Sequence, residues 1–208
     1  MSTPPQPLPT ATSTVEHVQA DATLWADHPH RVPTRPTARF MWGHPARWLA
    51  LGFGCGLSPV APGTVATLWA WVAFLVLDRW LTAVGWAALL TAGFGAGWWA
   101  CTRCARELGQ SDPSAIVWDE ILAFWLVLWI LMPASGWAQA GAFVLFRAFD
   151  IAKPGPVAWA DRTFKFSASG GITARQGMGI LLDDVVAAGC TLCVLAIIVA
   201  LLGTGGGS

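Results

Sequence analysis

The stretch Ile116–Met132, IVWDEILAFWLVLWILM, is apolar along almost its whole length, yet Asp119 and Glu120 stand side by side near its start. Adjacent carboxylates repel each other, and a charged side chain in hydrocarbon costs about 2.5–3.5 kcal/mol on insertion scales. Two together therefore indicate a compensating positive charge. The stretch predicts an apolar helix with a functional acidic end.

The composition of the chain points to a membrane protein of a single domain. Its 208 residues are 55% hydrophobic and 12% charged, with a formal net charge of zero. The mean hydropathy is +0.54. Low charge and positive hydropathy favour a membrane protein over a soluble one, and the zero net charge predicts no nucleic-acid partner. The composition predicts no oligomeric state.

Four further apolar segments lead to the prediction of an all-α, multihelical integral membrane protein with about five apolar helices. The segments are Val65–Leu77, Trp80–Cys101, Gly136–Phe146 and Val185–Leu202. The second and the last reach the roughly 18–20 residues that cross a bilayer, and the others are short or re-entrant. Gly93 and Gly97 either allow close helix packing or only make their helix flexible.

The two ends of the chain are predicted to lie outside the helical domain. The first 40 residues are rich in Pro, Thr and Ala and lack the apolar core of a signal peptide. Residues 1–45 are therefore predicted to be a disordered tail. Residues 46–203 form the predicted helical membrane domain, and residues 204–208 form a flexible Gly-rich tail.

Five cysteines include two CxxC pairs, Cys101/Cys104 and Cys190/Cys193. Such pairs are typical of zinc or redox sites. Both pairs lie in or beside apolar helical runs, where the spacing puts two small apolar side chains on one helix face. Helix packing is therefore favoured over a zinc site.

The basic residues predict the orientation in the membrane. If all five segments cross and the N-terminus is inside, 11 of the 12 basic residues lie inside and only Arg79 lies outside. This distribution follows the positive-inside rule and favours membrane helices over the core of a soluble protein. The polar motifs then gather on the cytoplasmic face, although they are far apart in the sequence.

A second acidic pair, Asp183 and Asp184, precedes the last apolar segment. Magnesium prefers oxygen ligands, keeps several waters and binds through one or two carboxylates together with substrate phosphate. The two acidic pairs on one face, with Asp150 and Asp161 nearby, predict a Mg²⁺ site. The alternative is that acids in a first helical turn only complement the helix dipole. The predicted metal ligands are Asp119, Glu120, Asp183 and Asp184.

The loop Gly56–Thr64, GLSPVAPGT, is predicted to bind phosphate. Thr64 is a good N-cap, and the free N–H groups at a helix start favour an anion. Ser58 offers a further hydrogen bond. The alternative is an ordinary helix start after a Pro-rich turn.

Arg147, Asp150 and Lys153 are spaced by three and are predicted to share one helix face. Arg147 and Lys153 would hold phosphate oxygens, and Asp150 would orient one of them or bind metal. The alternative is a salt-bridge ladder at the membrane surface. Pro154 is predicted to end the helix after Lys153.

Four motifs in this order resemble the phosphatidylglycerophosphatase A family, and the resemblance covers residues 49–202. The motifs are GFGCGLSPVAPGT (52–64), IVWDE (116–120), FRAFDIAKPGPV (146–157) followed by Asp161, and GMGILLDDVVAAG (177–189). Cys55 departs from the pattern, since a small hydroxyl residue is expected there.

The resemblance implies an all-helical, Mg²⁺-dependent enzyme of the bacterial inner membrane, and the predicted topology turns its active site to the cytoplasm. The reaction implied is hydrolysis of phosphatidylglycerophosphate to phosphatidylglycerol and phosphate. The implied catalytic residues are Asp119, Glu120, Asp150 and Asp184. The implied substrate-binding residues are Ser58, Thr64, Arg147, Lys153 and Asp161.

Two alternatives of other kinds stay open. Acids in short apolar helices also suit a small cation transporter or channel, although clustering at one face favours a phosphatase over a transmembrane pathway. A phosphatase for another lipid phosphate, such as a polyprenyl diphosphate, fits equally well. The nucleophile is either water or Asp150, which would form an aspartyl-phosphate.

Overall fold

The computed structural model describes residues 35–110, 113–157 and 173–204, with side chains as far as residue 201. In these ranges the chain is all helical, without a strand, so the all-α prediction is confirmed. The helices are α1 (Ala38–Trp42), α2 (Pro45–Ala50), a 3₁₀ helix (Gly52–Leu57), α3 (Pro62–Leu77), α4 (Ala83–Leu108), α5 (Trp118–Leu131), α6 (Gly136–Ala152) and α7 (Ala174–Thr204). Predictions for residues 1–34 and 205–208 lie outside the described residues.

The described helices begin before residue 46, where the domain was predicted to start. Thr37 caps α1 by accepting a hydrogen bond from the Phe40 N–H at 3.3 Å. Met41 is buried, and the Arg47 guanidinium donates to the Phe40 carbonyl at 2.9 Å. A cap and one apolar anchor thus hold this short helix against the domain, which average composition does not reveal.

Helix α5, which contains the opening stretch, lies at the centre of the bundle. It packs against α3, α4, α6 and α7, and nine of its 14 residues are buried. Its buried indoles find acceptors: Trp118 donates to the Gly93 carbonyl at 3.0 Å and Trp125 to the Ala70 carbonyl at 2.9 Å. A helix that is apolar on all sides is typical of this central position.

Small residues let α4 approach its neighbours closely. A Cβ at Gly97 would overlap the Trp118 ring, and one at Gly93 would lie 2.8 Å from Leu122. The packing interpretation of these glycines is therefore confirmed over simple flexibility. A Cβ at Gly177 of α7 would likewise overlap the Thr102 hydroxyl of α4. All five cysteines are free, and Cys101 and Cys104 are buried.

Among the described helices, α7 is the one long and apolar enough to cross a membrane, over Ala174–Leu201, and its most apolar 18-residue window has a mean hydropathy of 2.5. Only 22% of its most apolar window is buried, unlike a core helix of a soluble protein. The prediction that Trp80–Cys101 also spans is not confirmed. Helix α4 is long enough, but its Gly, Ala and Trp residues keep its hydropathy low.

Candidate functional site

A cavity of about 230 Å³ lies where four helices meet. It is bounded by the start of α3, the start of α5, the end of α6 and the third turn of α7. Its charged lining residues are Asp119, Glu120, Arg147, Asp150, Lys153, Asp183 and Asp184. The structure thus brings together seven of the ten side chains that the sequence singled out.

Asp119 and Glu120 lie in the first turn of α5, as predicted. The backbone before them is fixed by a hydrogen bond from the Val117 N–H to the Ala50 carbonyl at 3.0 Å. Glu120 packs against the start of α3, where a Cβ on Gly63 would overlap its Oε1. A glycine at this position therefore lets the carboxylate approach the α3 N-terminus, whose dipole favours negative charge.

Arg147 joins two of the acids. Its Nη1 lies 3.0 Å from Glu120 Oε1 and 2.5 Å from Asp150 Oδ2, so it links α5 to its own helix α6. The three side chains are all about one-eighth exposed. The Arg147 Nε is buried and has no acceptor among the residues that the structure describes. This N–H is available to an oxygen that enters the cavity.

Lys153 lies beyond the end of α6 and not on its face. It is the C-cap, in the left-handed conformation with φ 42° and ψ 57°, so the prediction of a shared helix face is wrong for this residue. Pro154 follows, and the predicted helix end before it is confirmed. From this backbone conformation the Lys153 side chain reaches α7, where its Nζ lies 2.6 Å from Asp183 Oδ2.

Asp183 and Asp184 lie in the third turn of α7, because that helix begins at Ala174. The prediction that they open the last helix is wrong. The helix dipole therefore does not explain this pair, since that explanation requires acids in the first turn. The preceding turns are helical because Gln176, Ile180 and Leu181 are buried against the bundle. Both acids are only 3% exposed, and Asp184 Oδ2 has no hydrogen-bond partner among the described residues.

Three predicted substrate-binding residues do not line the cavity. Ser58 lines a separate cavity of about 80 Å³ and donates to the Val60 carbonyl at 2.8 Å. Thr64 is the third residue of α3 and not its N-cap. The helix begins earlier because Pro62 occupies its first position, where proline is favoured, after Ala61. Asp161 lies outside the described residues.

Pro113 and Ser114 also line the cavity and were not predicted. Neither carries a charge nor belongs to a repeated pattern. Their position just before the acidic stretch is the one sequence signal that points to them.

The lining is strongly acidic. Five carboxylates face two basic side chains among the described lining residues, a formal charge of −3. Asp184 interacts electrostatically with Asp119, Glu120, Asp150 and Asp183. Two further acids have partners outside the cavity. Glu107 binds two arginines, Arg47 at 2.6 Å and Arg103 at 3.0 Å. Asp78 accepts a hydrogen bond from the neutral Trp86 indole at 2.9 Å.

The cavity suits a divalent cation in charge and in donor type. In the described ranges no three Asp, Glu, His or Cys side chains are arranged around a common point as a metal site. Magnesium does not require such a set, because it retains waters and binds through one or two carboxylates. The negative charge and the unpartnered Asp184 oxygen both fit it.

In the part of the chain that the structure describes, the fold is helical and the cavity is acid-rich. Two basic side chains and the start of α3 also line this cavity. The sequence model of the family described as Phosphatidylglycerophosphatase A matches residues 48–199. The chain belongs to the phosphatidylglycerophosphatase A family. Membership places it among the phosphatases, enzymes that hydrolyse phosphate monoesters.

Three relatives match this chain over most of its length and most of their own. The phosphatidylglycerophosphatase A of Escherichia coli is 36% identical over 151 residues, 72% of this chain and 81% of the relative. That of Haemophilus influenzae is 34% identical over 146 residues, 70% and 83% of the two chains. A Bacteroides thetaiotaomicron protein, provisionally named a phosphatidylinositol-3-phosphatase, is 35% identical over 157 residues, 72% and 90%. No solved structure shows a significant match.

Proposed function

We propose that the chain is a Mg²⁺-dependent phosphatase that converts phosphatidylglycerophosphate to phosphatidylglycerol and phosphate at the bacterial inner membrane. The observation that carries the proposal is the joint lining of one cavity by five acids and two bases. Phosphate-ester hydrolysis needs such a site, because phosphoryl charge must be neutralised while a nucleophile is placed in line. The names of two relatives support the lipid substrate.

The apolar surface supports a chain embedded in the membrane through several helices. On α3, Val65, Leu68, Val72 and Leu75 are exposed and share one face, while Phe74 is fully buried. This stripe suits contact with lipid, although α3 has only 16 residues and spans about 24 Å. The predicted basic excess on one side supports an active site that faces the cytoplasm.

Each lining group has a role in this reaction. Arg147 and Lys153 hold and neutralise phosphoryl oxygens, and the buried Arg147 Nε supplies a donor that has no acceptor among the described residues. Asp150 is 9% exposed and held by Arg147, which orients it either to accept a proton from water or to attack phosphorus. One or two of Asp119, Glu120, Asp183 and Asp184 would hold Mg²⁺, which when bound neutralises phosphoryl charge and activates water.

The placement of the acids favours a phosphatase over a cation pathway. A pathway requires ionisable groups through the depth of the bilayer. Here the acids of α5, α6 and α7 line one cavity, and α7 carries no charged residue from Val185 to Leu201. The phosphate-binding groups would also have no purpose in a simple pore.

The test is phosphate release by the purified protein from a panel of lipids in detergent micelles. The panel holds phosphatidylglycerophosphate, phosphatidylinositol 3-phosphate and a polyprenyl diphosphate, each with Mg²⁺ and with chelator. We expect preference for the first lipid, loss of activity with chelator and recovery on adding Mg²⁺. Preference for another lipid would show that the proposed substrate is wrong, and full activity in chelator would show that the reaction does not need Mg²⁺.

A further inference from the structure

An open apolar groove of about 410 Å³ runs between α4, α5 and α7. Its main lining residues are Leu90, Phe94, Leu122, Leu126, Trp129 and Val185. The remaining lining residues, Ala87 and Thr91, are on α4, and the Thr91 hydroxyl donates to the Ala87 carbonyl at 2.8 Å. The one hydroxyl of the groove is therefore bonded within its own helix, and the Trp129 indole N–H is the other polar side-chain group of the lining.

The groove and the acidic cavity share two helices, α5 and α7. Leu122, Leu126 and Trp129 continue the face of α5 that begins with Asp119, at steps of three and four residues. On α7, Val185 of the groove directly follows Asp184 of the cavity. The groove thus begins about one helical turn from the carboxylates and extends about 10 Å along α5.

The lining of the groove favours a hydrocarbon occupant. Its side chains are almost entirely apolar, and each methylene that leaves water on entering the groove stabilises binding. The groove and the acidic cavity lie on neighbouring turns of α5 and α7, so they suit one molecule that carries both an apolar chain and a phosphate.

We propose that this groove binds an acyl chain of the lipid whose phosphate enters the acidic cavity. The proposal rests on the proposed function, since it concerns the substrate of the same site. It assigns a positioning role to Thr91 and Leu126, which are not part of the acidic cavity. By fixing the hydrophobic end of the substrate, the groove would hold the phosphate end close to Arg147 and Asp150.

The test compares substrates that share the headgroup and differ in chain length. Phosphatidylglycerophosphates with two hexanoyl, two decanoyl or two oleoyl chains are assayed by phosphate release, together with the deacylated headgroup. Thr91→Trp and Leu126→Trp each fill the groove, and Thr91→Val removes the hydroxyl without adding bulk. Ala196→Trp is the matched control, because Ala196 lies in a different apolar hollow, of about 590 Å³, between α5 and α7.

We expect kcat/KM of the unmodified protein, of Thr91→Val and of Ala196→Trp to rise with chain length. In the two groove-filling variants it should fall about ten-fold for the dioleoyl lipid, as expected if about two methylenes lose their contacts, and stay unchanged for the shortest substrates. Circular dichroism and light scattering check folding and oligomeric state.

Three results would overturn the acyl-chain proposal. The first is that kcat/KM of the unmodified protein does not change with chain length. The second is that the groove variants lose activity on short and long substrates alike. The third is that the oligomeric state of the groove variants changes, which would assign the groove to a second copy of the chain. Failure of the proposed function looks different, because the unmodified protein would then release no phosphate from any chain length.

Discussion

Lys153 Nζ lies 2.6 Å from Asp183 Oδ2, so a residue just past the end of α6 is joined to the third turn of α7. The ammonium is 30% exposed, whereas the Asp183 side chain is 3% exposed. Lys153 reaches this carboxylate from a left-handed backbone conformation, with φ 42°. An unusual backbone conformation thus places a cation at the edge of the acidic cavity.

Replacement of Lys153 separates its charge from its backbone. Lys153→Met and Lys153→Gly both remove the ammonium, and we expect each to lower phosphate release by about 100-fold. The glycine variant should be more stable than the methionine variant by about 1 kcal/mol and unfold at a higher temperature, because glycine adopts the left-handed conformation freely. Activity assays and thermal unfolding in detergent measure the two effects. Full activity of Lys153→Gly would show that catalysis does not need this charge.

Gly63→Ala is expected to displace Glu120. The added Cβ would overlap Glu120 Oε1, so the carboxylate must move away from the start of α3 and from Arg147. We expect at least a ten-fold loss of activity, equal to about 1.4 kcal/mol of transition-state free energy. Gly141→Ala in α6 is the control, because a Cβ there meets nothing within 4 Å. It should keep full activity; equal effects of the two substitutions would contradict the contact.

Gly177→Ala is expected to destabilise the packing of α7 on α4. Its Cβ would overlap the Thr102 hydroxyl and lie 2.9 Å from the Thr102 Cα, so rotation of a side chain cannot relieve the clash. The expected cost is about 1–3 kcal/mol. Gly189→Ala lies on the same helix with open space around its Cβ and should be neutral or slightly stabilising. Unfolding of the two variants by denaturant or heat would show no difference if the contact were absent.

Asp184→Asn should separate activity from stability. The side chain is 3% exposed and interacts with four other carboxylates, so neutralising it removes repulsion at little change in shape. We expect phosphate release to fall about 10–100-fold, as for groups that support a metal site, while the melting temperature stays equal or rises. A variant that melts lower and keeps its activity would contradict both expectations.

The Glu107 cluster predicts a dependence of stability on pH. Partial burial raises the pKa of Glu107, but hydrogen bonds and charge from Arg47 and then Arg103 outweigh it and hold the pKa below its ordinary value of 4.5. A carboxylate whose pKa is lowered by folding stabilises the folded protein at pH values above its ordinary pKa. This stabilisation is lost as the pH falls through the lowered pKa. Glu107→Gln should therefore cost up to about 1 kcal/mol at pH 7. The difference from the unmodified protein should vanish in acid; a difference that stays constant down to pH 3 would contradict this assignment.

The sequence predicted the acidic pair of α5 well because local signals agree there. A run of apolar residues follows Asp119 and Glu120 directly, so the helix start and the acids coincide. The start of α7 was missed for the opposite reason. Its first turns contain Arg175, Gln176 and Gly177, which resemble a loop in composition but are held helical by contacts with α4.

Other differences also come from tertiary structure. The position of Thr64 suggested an N-cap, but Pro62 begins the helix two residues earlier. Lys153 has helical spacing from Arg147 and Asp150, yet the following proline ends the helix and turns the side chain toward another element. Ser114 was not predicted, since its only sequence signal is its position before the acidic stretch, and it lines the cavity through the path of the chain before α5.

Helix α7 carries both acids and the most apolar segment on one continuous rod. Transmembrane helices change their tilt when bilayer thickness changes. In a membrane, such a tilt would swing Asp183 and Asp184 together as a lever relative to Lys153 and Arg147. If α7 crosses a bilayer, the proposed catalytic geometry would therefore be coupled to the thickness of that bilayer.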